Sequence, residues 1–205
     1  MKLYTAAGPP NPRRVEMFLA EKGIHDIERV LVDLNAGEHK KADFLARNPR
    51  TKVPLLELDD GRFLAESRAI CSYLETVCPS PNLMGRDGEE RAFIEMIDRQ
   101  IEFDLFSSIV NCVRHTHPGL AALEQPQFAD FGTAQGQKMR EAARWFDSHL
   151  AAHPYAAGER FTIADITAFC AIEFARLVRF KPGQEGMANL QAWRDRIAGR
   201  ASASA

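Results

Sequence analysis

The chain has 205 residues, with 26 Lys plus Arg against 28 Asp plus Glu and a formal charge of -2. Hydrophobic residues make up 45% and charged residues 26%, a globular balance that excludes an intrinsically disordered chain. Near-neutrality excludes the basic footprint of a nucleic-acid or anionic-membrane binder, and no apolar run approaches the roughly 20 residues that span a bilayer.

The start, MKLYTAAGPPNPRR, lacks the apolar core of a secretory signal. Cys71, Cys78, Cys112 and Cys170 form no CxxC pair and have no His partner at zinc spacing. They read as small buried thiols of a reduced compartment, so a cytoplasmic protein without a metal is expected.

In chain order, Lys2 to Thr5 is a short strand, followed by the breaker cluster Gly8 to Pro12. Asn11 is placed to cap a helix that starts at Pro12, carries Val15, Phe18 and Leu19 on one stripe, and stops at Gly23. Ile27 to Val32 reads as a second strand, and 36–49 as a polar stretch with one helical turn around Asp43 to Ala46. Val53 to Leu58 and Arg62 to Leu64 are extended runs joined at Asp59-Asp60-Gly61, a hairpin signal. Ser67 opens a helix carrying Ile70, Tyr73, Leu74 and Val77. The order β-α-β then β-β-α defines a small α/β domain over residues 1–80.

Leu83 to Gly88 reads as a linker, and residues 87–205 as an all-helical domain. Its first helix, 88–114, repeats Ile94, Ile97, Ile101, Leu105 and Ile109, and Pro118-Gly119 breaks it. Glu95, Asp98 and Glu102 on that helix read as a solvated face. A second helix spans about 127–152. Thr162 and Asp165 form a capping box that opens a mostly apolar core helix to about Val178. A last helix runs roughly 187–198, and the tail ASASA is expected to be loose.

Three places can carry chemistry. Glu66-Ser67 at a helix start can hold the ammonium and carboxylate of an amino acid, or serve as an ordinary cap. Lys52-Val53-Pro54 enters a strand; a cis Val53-Pro54 bond would turn the Val53 backbone outward to pair with an extended peptide, whereas a trans bond simply starts an edge strand. Lys52 can meet a carboxylate. Asn11 can offer its amide to a thiolate near a helix N-terminus, or cap that helix. His115 and His117, in HTHP, lack a third ligand for a metal.

Taken together these pieces resemble the cytosolic glutathione transferase family, as a bacterial member. The resemblance covers Met1 to about Arg200 and rests on KLY, NPRRVEMFLAEKGI, GEHKKADFLARNPRTKVPLLELDDG, LAESRAICSYLE and ERFTIADI in that order. It implies a thioredoxin-like N-terminal domain that binds glutathione as co-substrate, an all-helical C-terminal domain for a small hydrophobic electrophile, and a homodimer. Carried over by position, Glu66 and Ser67 hold the γ-glutamyl end, and Val53 before a cis Pro54 pairs with the cysteinyl unit. Lys52 with His39 or Lys40 reaches the glycine carboxylate, and Phe103, Phe106, Val110 and His117 contact the electrophile.

The first loop departs from the family. Pro9 or Pro10 stands where a thiol-activating Ser or Thr is expected, while Tyr4 and Thr5 lie earlier on the strand. Several bacterial members that this sequence resembles rely on an Asn at the position of Asn11, so the resemblance implies Asn11, with the helix N-terminus, as the catalytic thiolate stabiliser. The roles of Arg13 and Arg14 stay open. The implied function is a glutathione transferase. The alternatives are a glutathione-dependent disulfide reductase or peroxidase, and a non-catalytic binding protein of the same fold.

Overall fold

The computed structural model of the protein describes residues 1–205, which divide into two compact units, Met1–Pro81 and Asn82–Ser204. In the first unit β1 (Lys2–Thr5) is followed by α1 (Pro10–Lys22), β2 (Glu28–Leu31) and α2 (Ala42–Arg47). Then come β3 (Leu55–Glu57), β4 (Phe63–Ala65) and α3 (Ser67–Val77). The sheet order is β2-β1-β3-β4, with β1 and β2 parallel and the other pairs antiparallel. A parallel pair needs a crossover, which α1 supplies.

Strand alternation sends neighbouring residues to opposite faces. Leu3 faces Leu56 across the ladder and Tyr4 faces Leu55. Tyr4 and Leu55 pack with Val32 and with Phe44 of α2 on one face. Leu3 and Leu56 are fully buried, as are Val15, Phe18 and Leu19 of α1 and Ile70 and Leu74 of α3. The sheet thus has two covered faces. The hairpin expected at Asp59-Asp60-Gly61 forms: Gly61, at φ 82°, donates to Leu58 O, and Asp60 Oδ1 accepts from the Arg62 N–H.

Gly23 ends α1 in the left-handed region, φ 65°, and the N–H of Ile24 closes back on Leu19 O at 3.0 Å. At the residue just before Gly23, α1 is fastened to α3 by a buried ion pair. Lys22 Nζ lies 2.5 Å from Glu75 Oε2 and donates to the carbonyls of Cys78 and Pro81. An enclosed ammonium is tolerated because its donors are taken.

The structure departs from several local expectations. Asn11 does not cap α1: the helix begins at Pro10, flanked by Pro9, and has no side-chain cap. Glu66, rather than Ser67, is the residue flanking α3, and Ser67 is its first helical residue. In the second unit, Leu83 and Met84 are buried and Leu83 O accepts from Ile163 N–H, so this stretch belongs to the helical packing instead of forming a free linker.

That unit contains α4 (Gly88–Gln100), α5 (Ser107–Thr116), α6 (Ala129–Leu150), α7 (Ile163–Ala175) and α8 (Ala188–Ala198). The single helix expected over 88–114 is interrupted by a π-helical stretch at Ile101–Phe106 between α4 and α5. Asp98 is not solvated: it is fully buried and accepts from Thr167 Oγ1 of α7. The tail is not loose either, because residues Ala201–Ser204 form a short 3-10 turn and Ser202 is buried.

α7 is the core element, buried from Ile163 to Ile172. Its capping box is as read from the sequence, with Asp165 Oδ2 accepting from the Thr162 N–H at 2.9 Å. Asp165 Oδ1 also accepts from Trp193 Nε1 of α8 at 2.9 Å and from the Ala156 N–H at 2.8 Å. All four cysteines are free thiols. No helix is long and apolar enough to cross a membrane.

Candidate functional site

The first turn of α1 is unusual in its donors. Pro10 and Pro12 carry no N–H, so Asn11 supplies the only backbone donor among the first three helical residues. Its side chain stands beside that donor, half-buried, and Asn11 Oδ1 accepts from Ser67 Oγ at 3.1 Å. Ser67 in turn accepts from Arg14 Nη1 at 3.0 Å. The starts of α1 and α3, 56 residues apart in sequence, are therefore joined by a side-chain bridge.

Glu66, just before α3, is exposed and holds φ 69°, ψ 114°, a conformation that L side chains rarely adopt. Such outliers cluster at ligand sites, where the surrounding structure holds them in place. The Val53-Pro54 peptide is cis. Val53 is half-buried against the Tyr4–Phe44 cluster, and Pro54 leads directly into β3. Asn48, buried, anchors the approach by donating from Nδ2 to Lys52 O at 2.9 Å.

His39 is buried in a short 3-10 turn, Glu38–Lys40, and its Nδ1 has no hydrogen-bond partner. Burial lowers its pKa below the ordinary imidazole value, and the neighbouring ammonium groups of Lys40 and Lys52 lower it further. The three side chains form a second group, electropositive and carrying one unsatisfied polar atom. A buried polar atom without a partner calls for an explanation, and a bound carboxylate is one that suits this charge.

Tyr4 is committed to a partner within its own sheet. Its hydroxyl donates to Glu57 Oε2 at 2.7 Å, and burial with that carboxylate raises its pKa above the ordinary phenol value. Thr5 is buried as well.

In the second unit the four expected electrophile contacts differ in exposure. Phe106 is buried in the helical core, whereas Phe103, 65% exposed, projects beside the Arg99 guanidinium. Val110 and His117 are half-buried. His117 holds the turn after α5, its Nδ1 accepting from the Gly119 N–H and its carbonyl from Gln127 Nε2. His115 Nδ1 accepts from the Phe128 N–H, and its ring packs against Phe131.

Arg14 is the site residue whose role the sequence left open. Its signal was the i, i+3 spacing from Asn11, which places both on one helix face.

The glutathione S-transferase N-terminal domain pattern matches residues 10–77, and the glutathione S-transferase C-terminal domain pattern matches 116–201. The chain is 36% identical to glutathione S-transferase 2 of Saccharomyces cerevisiae over 204 residues, covering 98% of this chain and 87% of that one. It is 34% identical to a maleylacetoacetate isomerase of Pseudomonas aeruginosa over 185 residues, 80% and 84% of the two chains. Its fold matches a glutathione S-transferase domain-containing protein of Marinobacter aquaeolei at TM-score 0.93 and 40% identity, covering 98% and 99%. A thioredoxin-like sheet unit followed by a helical unit, matched along nearly its whole length by these relatives, makes the chain a member of the glutathione S-transferase family.

Proposed function

We propose that this protein is a glutathione transferase that stabilises the glutathione thiolate with Asn11 and directs it at a small hydrophobic electrophile. The carrying observation is the Ser67–Asn11 hydrogen bond, which sets a carboxamide at the start of α1 beside the start of α3. Glutathione has a charged amino-acid end, a thiol and a terminal carboxylate, and the first unit offers a counterpart to each. The α-carboxylate is assigned to the start of α3 at Ser67, where backbone N–H groups and the helix dipole favour an anion. Glu66 takes the ammonium group. The cysteinyl backbone pairs with Val53 before cis Pro54, and His39, Lys40 and Lys52 face the glycine carboxylate.

Asn11 then presents Nδ2 and its backbone N–H to the sulfur. The thiol proton passes to solvent, and the thiolate forms a carbon–sulfur bond as the leaving group departs with its electron pair. Phe103, Phe106, Val110 and His117 are assigned to the electrophile. The reading extends to a cytoplasmic protein of bacterial type, the latter supported by the 40% identity to the Marinobacter aquaeolei protein.

Glu66→Gln should weaken glutathione binding about two- to fivefold, the worth of one exposed ion pair. Calorimetry checks this, and an unchanged affinity removes Glu66 from the ammonium subsite.

We propose further that the working form is a homodimer. Phe93 and Met96, at i and i+3 on α4, are 57% and 45% exposed, an apolar pair suited to a second copy of the chain. Phe93→Glu should shift the sedimentation profile to monomer; a wild-type profile for this variant would place the interface elsewhere.

A further inference from the structure

Arg14 does nothing in the reading above, yet its side chain is fully enclosed, at 0% exposure. It lies one turn along α1 from Asn11, and both meet Ser67: Arg14 Nη1 at 3.0 Å and Asn11 Oδ1 at 3.1 Å from Ser67 Oγ. The Arg14 charge biases the direction of this chain, which runs from Arg14 to Ser67 to Asn11. A guanidinium only donates, a hydroxyl has one proton, and a carboxamide has one accepting and one donating end.

Ser67 accepts from Arg14 on one lone pair, and a hydroxyl polarised by a cationic donor is itself the stronger donor, so its proton goes to Asn11 Oδ1. The opposite end of the amide, Nδ2, is then held outward as a donor. Were the Arg14 donor missing, Ser67 could swing its proton elsewhere and Asn11 could turn over, donating Nδ2 to the serine oxygen. Oδ1 would then face the ligand, and a carbonyl oxygen repels a thiolate.

We propose that Arg14 is a positioning residue: acting through Ser67, it fixes the polarity of the Asn11 amide so that a donor faces the glutathione sulfur. This rests on the assignment of Asn11 as thiolate stabiliser. It makes Ser67 a relay between α1 and α3, its proton directed inward, and leaves the incoming carboxylate to the backbone N–H groups of α3.

The test is the pKa of the glutathione thiol bound to the protein, read from thiolate ultraviolet absorbance against pH, with melting temperature and glutathione affinity measured beside it. Four variants separate the outcomes. Arg14→Met removes the donor and the charge. Arg14→Lys keeps a donor-only cation. Ser67→Ala keeps the Arg14 charge and removes the relay hydroxyl, any loss of carboxylate binding being read from the affinity, and Asn11→Ala removes the amide.

Arg14→Met and Ser67→Ala should each raise the bound thiol pKa by about one unit, a tenfold loss of thiolate below that pKa. Arg14→Lys should restore most of it. If Arg14→Met fails to fold, Ser67→Ala and Arg14→Lys decide. An unshifted pKa in Ser67→Ala, with Asn11→Ala shifted, overturns the relay and leaves the Asn11 assignment standing. An unshifted pKa in Asn11→Ala overturns that assignment and the relay with it.

Discussion

Asp165→Ala should lower the stability of the protein by about 3 kcal/mol, without touching the glutathione site. The carboxylate accepts from the Thr162 and Ala156 N–H groups, from Trp193 Nε1 and from the Thr162 hydroxyl, so truncation orphans three enclosed N–H donors at once. Each buried donor left unsatisfied costs about 1–3 kcal/mol, and the sum is partly offset because the burial cost of the carboxyl group disappears too. For a chain of this length that loss corresponds to a fall in Tm of roughly 6–12 °C. Asp165→Asn should lose less, since its Oδ1 can still serve Ala156 and Trp193. Scanning calorimetry at constant pH checks both. Equal melting temperatures for wild type and Asp165→Ala would mean that the capping box adds nothing to α7.

The same residue gives stability a pH signature. Complete burial pushes the Asp165 carboxyl up to about 6 from an ordinary value of 3.8, although its hydrogen-bond donors pull the other way. The folded state therefore holds this proton more tightly than the unfolded chain does. Unfolding then releases a proton in the window from about 3.8 to 6, so this residue's contribution to stability falls as pH rises through that window and is flat above it. Wild type measured against Asp165→Asn isolates that slope, because every other titrating group is common to both.

Asn11→Ala should cut kcat/KM at least tenfold at about pH 6.5, with the deficit shrinking as pH rises. An ordinary thiol has a pKa of about 8.5 and is only a few per cent ionised at pH 7. Lowering it by about two units requires roughly 2.7 kcal/mol of preference for the charged form. One hydrogen bond to a charged acceptor gives about 1.5–3 kcal/mol, and a helix N-terminus adds about 0.3–1. Pro10 and Pro12 cannot donate, so the first three helical residues offer for this only the side chain and backbone N–H of Asn11. At high pH the thiol ionises unaided and the variant recovers. A pH-independent deficit would instead indicate lost substrate positioning, and full activity at low pH would remove Asn11 from thiolate stabilisation.

The sequence made the order of strands and helices readable wherever punctuation was local. Gly23, the Asp59-Asp60-Gly61 turn and the Thr162–Asp165 box each act within a few residues, and all three do in the structure what their spacing predicts. What stayed hidden depends on partners far along the chain. Asp98 has the spacing of a solvated acid, and only Thr167, 69 residues on, makes its burial tolerable. Asn11 has the composition of a cap, and it is the approach of Ser67 that turns its oxygen inward. Apolar spacing also continues smoothly through Ile101–Phe106, so the π-helical stretch there leaves no mark in the periodicity. Arg14 illustrates the limit best: its neighbour at i-3 was legible, but its enclosure and its Ser67 contact were not.

Every role proposed for the first unit requires that this chain bind reduced glutathione productively. The most direct measurement is calorimetric titration of the purified protein with reduced glutathione, repeated with the oxidised form. Binding of the reduced form in the micromolar to low-millimolar range, at least as tight as the oxidised form, is the predicted result. Clearly tighter binding of the oxidised form would contradict the transferase reading in favour of disulfide reduction. No heat and no thermal shift with either would contradict glutathione binding altogether.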